Sequence, residues 1–229
     1  MEKEPISERA KTAYKIGTDP QFETPELTLG PWTSHSLLND PKRLSFVLAR
    51  YKFCARMLRG KAKVLEVGVG DGFGLPLVAH EVGHVTAVDW DLRLIEGNAR
   101  RLTHLNNVTH VHADFVHQVP SLKVDAAYSI DVIEHVDPDQ EALFLKNIVS
   151  CLNTNGVLIT GTPNLDAVHH ASPLSQIGHI NLKNQNSLQK LMLNYFHNVF
   201  MFGMNDEVLH TGFAPMSQYI WSLAVGVRT

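Results

Sequence analysis

The sequence predicts an α/β fold: a doubly wound, mainly parallel sheet with helices on both faces. Three observations lead there. Short apolar strands alternate with helical stretches between residues 64 and 161, and such alternation implies right-handed β-α-β crossovers. A glycine cluster from Gly68 to Gly74 sits at the first strand-to-helix turn, the edge of a parallel sheet where ligands bind. The chain has 229 residues, 44% hydrophobic and 19% charged, which suffices for one sizeable core and excludes disorder throughout.

Residues 1–40 are polar and punctuated by Pro5, Pro20, Pro25, Gly30 and Pro31, and are expected to form an extended or partly helical arm or lid. Residues 41–229 are expected to form a single domain. Asp40-Pro41 opens a helix: an N-cap, then a proline in the first turn. Leu44, Val47, Leu48, Tyr51, Cys54 and Leu58 recur along it at helical spacing, and Gly60 stops it. Strands are expected at Val64–Val67, His84–Asp89, Val108–His112, Val124–Ile130 and Gly156–Gly161. Leu75 to Val82 supplies one crossover helix. Asp91 caps the next, and Arg100 and Arg101 lie in its last turn, where cations suit the helix dipole. Pro138 to Leu152 reads as an amphipathic helix followed by an Asn155-Gly156 turn. Thr162 to Leu182 reads as a long loop, Ser187 to Tyr195 as a helix, and Val199–Gly203 and Tyr219–Val227 as late strands. No clear helix separates those last two, which points to an antiparallel partner at one side of the sheet.

Composition removes several classes of function. The net charge of −3 argues against a general nucleic-acid binder, whose domain is normally basic. Cys54 and Cys151 are far apart, within apolar helical patterns, and form neither a disulfide framework nor a metal spacing. That fits a reducing, cytoplasmic setting. The start, Met1 to Pro5, carries no apolar stretch of a signal peptide. No apolar run approaches the ~20 residues of a membrane span. The oddity is thirteen histidines, which raises the question of a metal or of acid–base catalysis.

The main site signal is Glu66-Val67-Gly68-Val69-Gly70-Asp71-Gly72. Glycines there let the backbone approach a ligand. Asp89 ends the next strand, placed to accept both hydroxyls of a ribose. The dinucleotide fingerprint G-x-G-x-x-G fails in both registers, since Phe73 or Leu75 occupies its third glycine. What remains, E-x-G-x-G-x-G, carries an acid that is a poor neighbour for a pyrophosphate but suits, through water, the ammonium group of S-adenosylmethionine.

With these residues the chain resembles a class I S-adenosylmethionine-dependent methyltransferase. Val64 to Gly72 resembles the family's first motif, Asp89 its ribose-binding acid, and His112-Ala113-Asp114-Phe115 its third-strand motif. Ser129-Ile130-Asp131-Val132-Ile133-Glu134-His135-Val136 is similar to the fourth motif of small-molecule O-methyltransferases of the ubiquinone-biosynthesis type. The resemblance covers residues 40–165 well. It implies a Rossmann-like sheet of seven strands with the last antiparallel, and S-adenosyl-L-methionine as cofactor. It implies cofactor contacts at Glu66, Gly68, Gly70, Gly72, Asp89, Asp114 and Asp131, with Asp114 on the adenine amino group; Trp90 and Phe115 are added as candidate contacts that either flank the purine or pack in the core.

The expected reaction is in-line methyl transfer to a small-molecule acceptor, more readily an oxygen than a nitrogen. No nucleic acid and no membrane are expected as partners. His179 is the leading candidate for general base, with His169, His170 and Asp131 in reserve. Asp131, Glu134 and His135 are spaced i, i+3, i+4, which could present a metal. The expectation is that Asp131 shapes the strand end, that Glu134-His135 caps the next turn, and that no metal is bound. His110, His112 and His117 beside Asp114 look metal-like along the chain, but His110 and His112 share one face of a single strand, which cannot close a metal shell. The polar stretch Met204 to Gly212, with His210, is a candidate lining of the acceptor pocket. Trp32, His35 and the helix bearing Arg50 and Tyr51 are candidates to close over the cofactor, although Tyr51 lies on the apolar stripe and reads as core. Alternatives carried alongside are a non-catalytic S-adenosylmethionine-binding protein, a protein or RNA methyltransferase and a nicotinamide enzyme.

Overall fold

A computed structural model describes residues 6–228; the Met1 to Pro5 segment, read above for a signal peptide, lies outside them. Two helices form the arm. The first, α1 (Glu8–Phe22), is capped by the Ser7 side chain and buries no residue. The second, α2 (Pro31–Asn39), starts on a proline and buries only Thr33. The third, α3 (Lys42–Met57), buries Tyr51, Cys54 and Ala55 on its apolar stripe.

The sheet has the predicted strands β1 (Lys63–Val67), β2 (His84–Asp89), β3 (Val108–His112) and β4 (Val124–Ile130), all parallel. Next come β5 (Leu152–Pro163), β6 (Phe196–Asn205), β7 (Val208–His210) and β8 (Tyr219–Val227), in the order β3-β2-β1-β4-β5-β8-β6-β7. Alternation along β1 explains the layers, because successive side chains face opposite ways. Val64 joins a core with α3, α4 (Leu75–Ala79) and Ile95 of α5 (Leu92–Arg101). Leu65 and Val67 join a second core with α6 (Glu141–Cys151) and α8 (Gln185–Leu193). Helices therefore cover both faces. The order reverses between β1 and β4, which creates a switch point at their carboxyl ends.

Three expectations need correction. The sheet has eight strands, not seven. The extra one is β7, a three-residue edge strand that returns on β6 through Asp206, a residue in the left-handed region at φ +49°. It falls in the stretch read as an irregular pocket lining. An edge strand this short has too few buried positions to show alternation. Second, the expected Asn155-Gly156 turn lies inside β5, which begins at Leu152 and shifts register against β4 between Val124 and Ala126. A bulge absorbs the extra residues. Third, the expected loop after β5 carries a 3₁₀ turn (Leu165–His170) and a short helix, α7 (Pro173–Gly178), whose N-cap Ser172 accepts from the Ser175 amide. The late strands do pair antiparallel: β8 lies between β5 and β6 and runs against both. Among the described residues, no helix is long and apolar enough to cross a membrane.

Candidate active site

The chain leaves β1 into the glycine loop at the switch point. Gly68 and Gly70 adopt φ of +82° and +56°, a region that a Cβ disfavours. A side chain on Gly68 would also run into Val132, just after β4. The loops after β1 and β4 thus meet across the crevice because position 68 has no side chain. The loop is pinned from β2. The Gly68 and Val69 amides donate to the Val88 carbonyl at 2.8 and 3.0 Å, and the Gly70 amide donates to Oδ2 of Asp89 at 2.9 Å. Asp89 is buried, and its Oδ1 accepts from the Asp91 amide at 2.9 Å. Each carboxylate oxygen retains a further lone pair, so Asp89 can still accept ribose hydroxyls.

The other residues expected around the loop divide. Glu66 lies under it rather than on its open side. Its side chain shares the face of Val64, and its two oxygens accept from Tyr51 Oη and Tyr128 Oη, each at 2.7 Å. Burial outweighs these bonds and raises its carboxyl to about 7. Phe115 is buried in the core between the sheet and α6. Trp90 is 72% exposed just past β2. Asp114 accepts from the Val116 amide at 2.9 Å and pairs with His117 Nδ1 at 2.7 Å. Trp32 of the arm lies over the loop: a Cβ on Gly70 would come within 2.8 Å of its ring.

The second half of the site follows β4. Asp131 has φ +57°, and its Oδ2 accepts from Arg50 Nη1 at 2.6 Å. The Arg50 guanidinium lies 3.9 Å from the centroid of the Tyr219 ring. Oδ1 of Asp131, Nε of Arg50 and the Tyr219 hydroxyl are buried without hydrogen-bond partners. A 3₁₀ turn (Ile133–His135) follows. Within it Glu134 is fully buried, accepts from Thr162 Oγ1 at 2.9 Å, and is pushed up by burial and then by the Asp131 charge. His135 donates from Nδ1 to the Gly178 carbonyl at 2.8 Å; that oxygen can only accept, so it assigns the tautomer. The His179 ring meets the His135 ring edge-on, centroids 5.1 Å apart. Burial and then His135 hold its imidazole below the usual value. One ligand atom each of Glu134, His135 and His179 lies within 4.8 Å of the others, a grouping not expected from the sequence.

His169 and His170 instead lie against each other, rings tilted by 49° with centroids 4.1 Å apart, on the exposed end of their turn. His210 donates from Nε2 to Asn205 Oδ1 at 2.8 Å and braces the β6–β7 hairpin. Sequence reasoning missed Tyr219 and Thr162 outright, because their neighbours lie far along the chain. Arg50 had one signal: a charged residue bordering an apolar stripe.

The two-way wound sheet, the glycine loop at its switch point and the carboxylate ending β2 together define a class I methyltransferase fold. The family model described as a methyltransferase domain matches residues 40–195. The chain belongs to this family of S-adenosylmethionine-dependent methyltransferases. It is similar to a probable S-adenosylmethionine-dependent methyltransferase of Mycobacterium tuberculosis, Rv3030, at 31% identity over 101 residues. That match covers 44% of this chain and 35% of the relative, so the chain spans about a third of the curated relative's length. Among solved structures, the methyltransferase domain of bacterial CtHen1-C superposes with a TM-score of 0.65 at 18% identity, covering 79% of this chain and 99% of that one. The N-methyltransferase NodS from Bradyrhizobium japonicum WM9, solved with S-adenosyl-L-homocysteine, gives 0.61 at 15% identity, covering 92% and 97%.

Proposed function

We propose that this protein transfers the methyl group of S-adenosylmethionine to a small-molecule acceptor, with oxygen as nucleophile. The observation that carries the reading is the junction of two half-sites. The glycine loop and the turn that begins at Asp131 pack against each other at the switch point, through Gly68 and Val132. Two observations support the cofactor: Gly68, Gly70 and Gly72 hold positive φ values that fix the loop backbone at the switch point, and Asp89 keeps free lone pairs beside it. Gly68, Gly70 and Gly72 cradle the cofactor, Asp89 takes the ribose, Asp114 the adenine amino group, and Trp90 flanks the purine. Phe115 supports that wall from below. Glu66, buried beneath the loop with a tyrosine hydroxyl on each oxygen, braces the loop between α3 and β4 instead of meeting the ammonium.

Bound S-adenosylmethionine supplies an already electrophilic methyl group on a sulfonium. The chain's own work is alignment of the acceptor, which can contribute about 7–11 kcal/mol, and removal of a proton. With nothing else bound, His179 takes that proton: its Nδ1 is unpartnered, and burial and then His135 disfavour its charged form. The likeness of Ser129 to Val136 to the fourth motif of small-molecule O-methyltransferases supports an oxygen acceptor.

The test is calorimetric titration with S-adenosylhomocysteine, followed by homocysteine-release assays over a panel of phenols, alcohols and carboxylic acids. Saturable binding with turnover on a hydroxyl compound is expected; a protein that ignores the demethylated cofactor sinks the reading. His179→Ala is expected to keep that binding and to lose about 10²–10⁴-fold in turnover. Unchanged turnover would remove His179 from the chemistry.

A further inference from the structure

Glu134 and His135 come from the turn after β4, while His179 closes α7. Three side chains of metal-binding type thus converge from separate loops. Each offers one ligand atom within 4.8 Å of the other two. Two of them also lack something. Oε2 of Glu134 is engaged by Thr162, but Oε1, on a residue that is 0% exposed, has no partner. Nδ1 of His179 is likewise buried and alone. Buried polar atoms nearly always find partners, because an unpartnered one loses its hydrogen bonds to water without replacement. Each orphan has a lone pair to donate, on residues whose ligand atoms already gather within 4.8 Å.

His135 shows the accompanying arrangement. Its Nδ1–H is tied to the Gly178 carbonyl, which leaves Nε2 as the nitrogen with a free lone pair. Metal-bound histidines are fixed in this way, by donating the other ring N–H to a carbonyl or carboxylate. One carboxylate with two imidazoles suits zinc, manganese, iron or cobalt better than a hard all-oxygen ion. Three protein ligands also leave a coordination position open, as catalytic rather than structural sites do.

We propose that Glu134, His135 and His179 bind one divalent transition-metal ion, placed to meet the acceptor oxygen. The proposal deepens the methyltransferase reading and rests on it for the ion's use, though not for its binding. His179 has one lone pair at Nδ1. When the ion takes it, His179 is a ligand and no longer a base. The ion then withdraws electron density from the acceptor hydroxyl and lowers its pKa. The hydroxyl proton passes to solvent, the oxygen forms a bond to the methyl carbon, and the C–S bond breaks with its electron pair going to sulfur. The sulfonium charge disappears, and S-adenosylhomocysteine leaves as a neutral thioether.

The experiment uses the full chain, stripped with a chelator and titrated calorimetrically with Mn²⁺ and Zn²⁺. Binding of Co²⁺ is followed in parallel by visible absorption. One equivalent of each metal is expected to bind, and Co²⁺ is expected to develop the bands of a nitrogen-ligated site. His179→Asn and Glu134→Gln are each expected to weaken binding by more than about tenfold (~1.4 kcal/mol). His179 terminates an exposed helix, so its variant keeps the fold check clean if the buried Glu134 variant misfolds; circular dichroism reports that. His169→Gln/His170→Gln is the control and should bind as the wild type does. Absence of stoichiometric binding, binding unaffected by His179→Asn, or binding abolished in the control overturns the site. Stoichiometric binding with turnover indifferent to the metal keeps the site and overturns its catalytic use. Stoichiometric binding without affinity for S-adenosylhomocysteine condemns the methyltransferase reading and spares the metal.

Discussion

Glu66 ends β1 where a ligand-facing acid was expected, yet its carboxyl is enclosed by Tyr51 and Tyr128. The consequence is a pH-dependent brace. Burial lifts the folded-state value from 4.5 to about 7, so over that interval the folded protein holds a proton that the unfolded chain has released. The stabilisation from this group is therefore full below about pH 4.5 and is lost as pH rises to about 7. The difference amounts to on the order of 3 kcal/mol. Glu66→Gln removes the titration while keeping the volume. Urea unfolding from pH 5 to 7.5 should show wild-type stability falling by a few kcal/mol, and a flatter profile in the variant. Parallel profiles would show that Glu66 does not carry the dependence. Asp131 sits in a different setting: it is partly exposed, paired with Arg50 at 2.6 Å, and held in a left-handed backbone conformation.

Among the elements, the arm has the most distinctive attachment. Thr33, the only buried residue of α2, donates from its amide and its hydroxyl to the two oxygens of buried Asp71, at 2.7 and 3.1 Å. An acid of the glycine loop thus caps the helix whose Trp32 lies over that loop. Hydrogen bonds to a charged group contribute about 1.5–3 kcal/mol each. Asp71→Ala should therefore release α2, raising the rate of proteolytic cleavage within residues 6–40 by at least about tenfold. Equal cleavage rates would mean that α2 is held elsewhere. Neither Thr33 nor Asp71 stood out in the sequence, since the pair is 38 residues apart. The elements that were legible carry their signals locally: the Asp91 cap and paired arginines of α5, the alternation of β1, and the glycines that stop or turn the chain. What escaped was tertiary. The Arg50–Asp131 pair spans 81 residues, β7 is too short to show a period, and His179 reaches His135 only because α7 folds within an expected loop. The cofactor half of the site was readable because one turn supplies most of it; the acceptor half is assembled from five separated segments.

For the whole molecule, the seam between the parallel strands and the antiparallel ones decides whether it unfolds as one unit. At that seam β5 pairs with β4 on one side and β8 on the other. Trp221 of β8 is fully buried there, edge-on to Phe53 of α3 at 5.0 Å and to Tyr219 at 5.2 Å. The Trp221 ring therefore ties the antiparallel half to a helix of the parallel half. Gly161 makes room for it: a Cβ there would lie 2.5 Å from the ring. Overfilling a close-packed core costs about 1–3 kcal/mol, so Gly161→Ala should lower stability by that amount. Because the two halves share β5 and the ring, the loss should appear as one displaced transition. Circular dichroism and tryptophan emission should then give coincident curves in both wild type and variant. If the variant instead shows two separated transitions, β6 to β8 form an independent unit and the seam is not what unites the sheet. If its midpoint does not move, the space beside Gly161 accommodates a methyl group and the ring is not tightly held.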